Sequence, residues 1–302
     1  MNNRKPVHTV NAILSLVLAA GVSVARAQDV PDVGPHPPTP PVVMESHIGN
    51  LTGHSADGKL VYRQHCASCH GERGDGAGEE AVWLDPKPRD FTIATFKCRS
   101  TLTGTLPTDE DLFNTIARGL TNSNMPIWNT FTKQQRADLV AYIKTFSPRW
   151  EKEKPGEPIK IPAEPPVTME SISHGKALFV KLECWKCHGP QGRGDGPSAS
   201  TLTDSKDQPI RPFNFAAATD ASRFKCGSTN QDLYKIFMTG VDGTPMPSFA
   251  DNIQANDAWD LVHFLRTLQG NRHSKENEIV NAAGRKIPPY VEKTADSPTA
   301  AN

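Results

Sequence analysis

Apolar residues recur at helical spacing in two matching pairs of segments. Ala56 to Cys66 and Ile172 to Cys184 read as short amphipathic helices, and Lys133 to Phe146 and Asp257 to Leu268 as a later pair. Thr108 followed by Asp111, and Ser228 followed by Gln231, have the spacing of N-terminal capping boxes, with Gly119 and Gly240 as stops. They predict one more helix in each half. The stretch between the first and second helices is rich in Gly, Pro and Asp and reads as loop. The expected fold class is all-α.

The halves are copies. Gly58-Lys59-Leu60-Val61-Tyr62 matches Gly175-Lys176-Ala177-Leu178-Phe179, Gly74-Asp75-Gly76 matches Gly194-Asp195-Gly196, and Arg89-Asp90-Phe91 matches Arg211-Pro212-Phe213. Asp111-Leu112-Phe113 matches Asp232-Leu233-Tyr234, Met125-Pro126 matches Met246-Pro247, and Asp138-Leu139-Val140 matches Asp260-Leu261-Val262. A period of about 120 residues is domain duplication, because solenoid units are far shorter.

Outside the repeat the pattern changes. Residues 1–27 have a secretory layout: Arg4 and Lys5, an apolar run from Val10 to Ala20, and the Ala25-Arg26-Ala27 cleavage site, so the mature chain is expected to begin at Gln28. An uncleaved anchor is the alternative, but the run is shorter than the roughly 18 apolar residues a membrane span needs. Residues 28–50 form a proline-rich arm. Domains are expected at 51–150 and 168–270, and the proline-rich segment 151–167 between them reads as a semi-rigid linker. The tail, 271–302, lacks apolar periodicity and is expected to be poorly ordered or draped on the surface.

Charge narrows the function. The chain has 33 basic and 33 acidic residues; removal of residues 1–27 takes Arg4, Lys5 and Arg26, leaving a mildly acidic protein. Without a basic stripe, nucleic acid is not an expected partner.

The chemistry lies in two pentapeptides, Cys66-Ala67-Ser68-Cys69-His70 and Cys184-Trp185-Lys186-Cys187-His188. Cys-x-x-Cys-His is the attachment motif of c-type haem: two thiols at this spacing can add to the vinyl groups on one porphyrin edge, while the histidine supplies the proximal iron ligand. A thioredoxin-type pair or half a zinc site are the bland readings. Two copies, each with its histidine, favour two covalently attached haem c groups, on Cys66, Cys69 and His70 and on Cys184, Cys187 and His188. The low aromatic content, 7%, suits cores partly filled by porphyrin.

On these motifs, both halves resemble the helical domain of class I c-type cytochromes, over about residues 51–150 and 168–270. The resemblance implies that the first and last helices cross at a glycine packed on aromatic rings, for which Gly58 with Tyr62 and Tyr142, and Gly175 with Phe179 and Phe264, are in place. It also implies a sixth ligand from a methionine before proline in the loop ahead of the last helix. Met125 and Met246 hold that position; Met238 falls within a helix and aligns with Ala117. Arg89 and Arg211 are candidates for pairing with haem propionates. His47, His54, His65, His174 and His263 have no spacing that demands a second metal.

Cys98 and Cys226 remain, each in a Phe-Lys-Cys triplet. An interdomain disulfide and two buried small side chains are equally open readings; axial ligation by one of them is a third.

The expected protein is a dihaem electron carrier with two His/Met-ligated haems, exported to the periplasm and soluble or peripherally membrane-associated. Its expected partners are redox proteins, a membrane-associated respiratory complex among them, with no small-molecule substrate. A dihaem peroxidase would need one haem with an open coordination site, and a sulfur-oxidising cytochrome a cysteine-ligated haem.

Overall fold

In the computed structural model the described residues are 42–217, 224–269 and 274–291. The expected signal peptide and most of the proline-rich arm lie outside them. The first domain opens with an antiparallel hairpin, β1 (Glu45–Ile48) and β2 (Leu51–His54), in which Ile48 pairs with Leu51. Helix α1 (Ser55–His65), the single turn α2 (Ala67–His70), α3 (Asp109–Arg118), α4 (Lys133–Lys144) and the short α5 (Arg149–Lys152) follow. The second domain repeats the helical plan with α6 (Met169–Lys181), the single turn α7 (Trp185–His188), α8 (Asn230–Thr239) and α9 (Ala255–Leu268). An added helix, α10 (Lys275–Ala282), closes it.

Local sequence sets the helix starts. Thr108 and Thr229 accept from the backbone N–H of Asp111 and Asp232, and those carboxylates accept in return from the threonine N–H. The second box therefore lies one residue beyond the expected Ser228–Gln231 pair. Thr132 with Gln135 caps α4 in the same way.

Each domain is organised by one helix crossing. A Cβ on Gly58 would collide with the Asp138 carbonyl in α4, and one on Gly175 with the Asp260 carbonyl in α9. Only glycine permits backbones so close. Aromatic rings seal both crossings: Tyr62 to Tyr142 at 5.2 Å, and Phe179 to Phe264 at 5.4 Å. The hairpin, absent from the helical pattern, leans on the same crossing: Ser46 Oγ donates to the Ala137 carbonyl at 2.7 Å, and His54 N–H to Asp138 Oδ1 at 2.9 Å.

The domains are joined three ways. Cys98 and Cys226 form a disulfide with Cα atoms 5.1 Å apart, so these cysteines are bridge partners rather than iron ligands. Beside it Arg99, its side chain fully buried, pairs with Asp242 at 2.8 Å and donates to the Thr239 carbonyl. Lys206 reaches Asp90 at 2.6 Å across the same seam. The linker is the third join. Gly156 N–H bonds the Leu106 carbonyl and Ile159 N–H that of Ser100. Farther along, Glu164 accepts from Asn230 and lies 3.3 Å from the buried His263 of the second domain.

In the described part of the tail, residues 274–291, a helix forms that the apolar pattern did not predict. Helix α10 packs against α9, burying Val280, and Tyr290 stacks on His174 with ring centroids 4.3 Å apart. Ser274 caps it by accepting from Asn277 N–H.

Candidate functional site

In each domain the Cys-x-x-Cys-His motif turns directly off the first helix. Cys66 N–H bonds the Tyr62 carbonyl and His70 N–H that of Cys66, while Cys184 N–H bonds Phe179 and His188 N–H bonds Cys184. In the first domain this turn forms one wall of a cleft of about 1100 Å³, measured with its open mouth. Cys66, Cys69, His70 and Met125 all line it, with Phe91, Phe96, Leu112, Ile116 and Ile143 as apolar walls. A flat apolar cofactor anchored through two thiols and an imidazole fits such a lining.

Each imidazole is held by a backbone carbonyl. His70 Nδ1 lies 3.0 Å from the Arg89 carbonyl, and His188 Nδ1 3.0 Å from that of Phe213. A carbonyl only accepts, so Nδ1 carries the proton and Nε2 keeps its lone pair, the tautomer a metal-bound histidine uses. Burial pushes both imidazoles below the usual histidine value, which holds them neutral. Phe91 stacks on His70 at 4.6 Å, and Phe215 packs on His188 at 4.8 Å.

The thiols do not resemble a redox pair. Burial, with a smaller contribution from Cys69, pushes Cys66 up to about 12, and burial pushes Cys184 up to about 11. Thioredoxin-like attack needs the thiolate. Among the described residues no cluster of His, Cys, Asp and Glu could hold a metal ion by itself.

The methionine loops are built alike. Leu120 N–H bonds the Met125 carbonyl and Val241 N–H that of Met246. Ser123 Oγ accepts from Met125 N–H and donates to Leu120, and Thr244 Oγ1 does the same between Met246 and Val241. Trp128 N–H then returns to Ile116 in α3, and Phe249 N–H to Phe237 in α8. Each methionine is half-buried, and Met246 packs against the second domain's core.

Two sequence correspondences shift. The carbonyl that holds His70 belongs to Arg89, and the one that holds His188 to Phe213, so Arg89 is equivalent to Phe213 rather than Arg211. Arg89 lines the cleft, whereas Arg211 is exposed. Likewise Gly76 N–H bonds His70 as Gly194 N–H bonds His188, which makes Gly76 and Gly194 partners. The second-domain loop is six residues longer between the motif histidine and Phe213, and matching letters alone misaligned both.

Sequence reasoning missed three cleft residues. His65 stands edge-on to Trp128 and Phe131 at the cleft wall, and Lys97 and Lys225 also line it, the latter from the second domain. The repeated Phe-Lys-Cys triplet was the available signal for the lysines. His263, fully buried between Ser171 and Glu164, holds the linker and is remote from either motif in sequence.

No curated protein matches the chain. Among solved structures it is similar to a chain of the Kuenenia stuttgartiensis reducing HAO-like protein complex Kustc0457/Kustc0458, with 44% identity and a TM-score of 0.68, over 70% of this chain and 96% of that one. The cytochrome c family model matches twice, at residues 55–147 and 172–269, so each match spans one motif turn, one methionine loop and the helices that cross at a glycine. The chain belongs to the cytochrome c family, as a tandem of two helical domains built for covalently attached haem and electron transfer.

Proposed function

We propose that the chain is a dihaem electron carrier, exported to the periplasm, that relays single electrons to or from a redox protein with which it forms a complex. One observation carries the reading: the histidine–carbonyl bond and the hydrogen-bonded methionine loop are each built twice, in the same relation to a Cys-x-x-Cys-His turn. Covalently attached haem supplies one-electron ferric/ferrous chemistry. The chain does the rest. Cys66 and Cys69, and Cys184 and Cys187, would fix a porphyrin edge; His70 and His188 would offer Nε2 to the iron, and Met125 and Met246 their sulfur. A haem held by both a histidine and a methionine would keep no open coordination site, which suits a carrier rather than a peroxidase. The apolar walls of the first domain's cleft would limit water around the bound haem and favour its less charged ferrous state.

The partner reading rests on the structural neighbour, which is named as part of a protein complex. A reducing partner of that HAO-like kind is the first to try. We assign this chain the relay and no bond-making step.

The test is a haem count by pyridine haemochrome together with the far-red methionine-to-iron absorption of the ferric protein. Two haems with the full band are expected, and Met125→His and Met246→His are each expected to remove half of it. A high-spin spectrum, or a band that survives both substitutions, would overturn the ligand assignment.

A further inference from the structure

Four cations line the first domain's cleft. Lys87 is held by the carbonyls of Ala81 and Val82, which leaves three: Arg89 and Lys97 of the same domain, and Lys225, which reaches it from the second domain. None of the three side chains makes a hydrogen bond or ion pair to a described residue. The acids nearest them are otherwise engaged. Asp242 is taken by Arg99 and by Gly104 N–H, Asp90 by Lys206 and Thr92, and Asp204 by the backbone of Lys206 and Gln208. Asp85 acts on Lys225 only through the field between them.

This is an unusual place for unpaired charge. Desolvating a cation is costly unless an anion or polar partner compensates it. Burial pushes Lys97 down to about 8, with Lys225 and Arg89 pressing it further, and burial also depresses Lys225 and Arg89. The repulsion runs through all three. The fold nevertheless fixes the group firmly. Lys97 and Lys225 each adjoin a cysteine of the interdomain disulfide, and the Arg89 guanidinium lies over Gly243 of the second domain, where a Cβ would crowd it. An apolar cleft rimmed by three held cations without acids is complementary to a flat apolar ligand that carries two carboxylates on one edge.

We propose that Arg89, Lys97 and Lys225 receive the two propionates of the first domain's haem, so that the second domain completes the first domain's site. This rests on the dihaem reading above and goes beyond it: the potential of one haem becomes a property of both domains. The pseudo-symmetry is broken here, because the residue equivalent to Arg89 is Phe213, so the second domain has no arginine at that position. Removing a nearby positive charge makes addition of an electron less favourable, so loss of Lys225 lowers the first haem's midpoint potential.

The experiment is a spectroelectrochemical titration of the two-haem protein, comparing the wild type with Lys225→Met, Lys225→Arg and Arg89→Met. Wild-type haem content is measured first; fewer than two haems per chain sinks the dihaem reading and this inference with it. With two haems present, Lys225→Met and Arg89→Met are each expected to lower the same one of the two waves, by up to about tenfold in ferrous-to-ferric ratio, or about 59 mV for one electron. The other wave stays in place, and Lys225→Arg, which keeps the charge, titrates like the wild type. Methionine preserves the lysine stem, so a role in packing alone predicts no shift. The proposal is overturned if Lys225→Met moves neither wave, if it moves a different wave from Arg89→Met, or if Lys225→Arg shifts as far as Lys225→Met.

Discussion

Gly58 and Gly175 carry the two helix crossings on single hydrogen atoms. An alanine at either position drives a methyl group into the carbonyl of Asp138 or Asp260, and both partners are backbone of a packed helix that cannot step aside. Overpacking of this kind costs about 1–3 kcal/mol, so Gly58→Ala and Gly175→Ala should each lower the denaturant midpoint by that amount without a change in m-value. Leu60→Ala, on the exposed face of α1, should leave it in place. These glycines and their aromatic neighbours were implied by the family resemblance, and the two Cys-x-x-Cys-His motifs were legible because short-range spacing defines them. The proton position on His70 and His188 was not. It depends on which carbonyl meets Nδ1, and those carbonyls belong to residues 19 and 25 positions further on, across loops of unequal length.

At the level of elements, the helices with wide apolar faces were legible and the small pieces were not. Segment Glu45–Ile48 has alternating burial, but with Ser46 and Ile48 as its inward residues it offers little apolar contrast. Helix α10 has Ile279 and Val280 as its only large apolar residues, so its existence depends on the surface of α9 and not on its own pattern. The capping boxes show the limit of motif reading at its smallest: Ser228 and Thr229 can both cap, and the backbone selects Thr229. Thr108→Ala and Thr229→Ala should each cost about 1 kcal/mol, seen as a lower thermal midpoint. Ser228→Ala, whose hydroxyl makes no bond, should cost less.

For the whole molecule, the seam between the domains decides behaviour. Burial raises the Asp90 carboxyl, but Lys206 and Thr92 outweigh burial and hold it below the ordinary carboxylate value. A carboxyl depressed in the folded state contributes stability above its unfolded value, about 3.9, and loses it as pH falls through the folded value. The seam should therefore be intact at neutral pH and weaken below about pH 4. Lys206→Met should flatten that part of the stability-against-pH curve. The disulfide closes a loop with its ends 128 residues apart. Loop-entropy reasoning assigns such a bridge about 5 kcal/mol. Replacing both cysteines by serine should lower the unfolding midpoint accordingly and split a single transition into two. The sequence left this pairing open because the separation of Cys98 and Cys226 depends on how two folded domains dock, and Lys225's position on the neighbouring cleft depends on the same docking.

The same bridge also changes what a cut chain can do. Any single peptide bond broken between Cys98 and Cys226, including any in the proline-rich linker, leaves two pieces that still share a covalent bond. A protease that nicks the linker once should therefore yield material of full mass on a non-reducing gel and two fragments after a thiol reductant, with both haem motifs still held in one particle until the reductant is added.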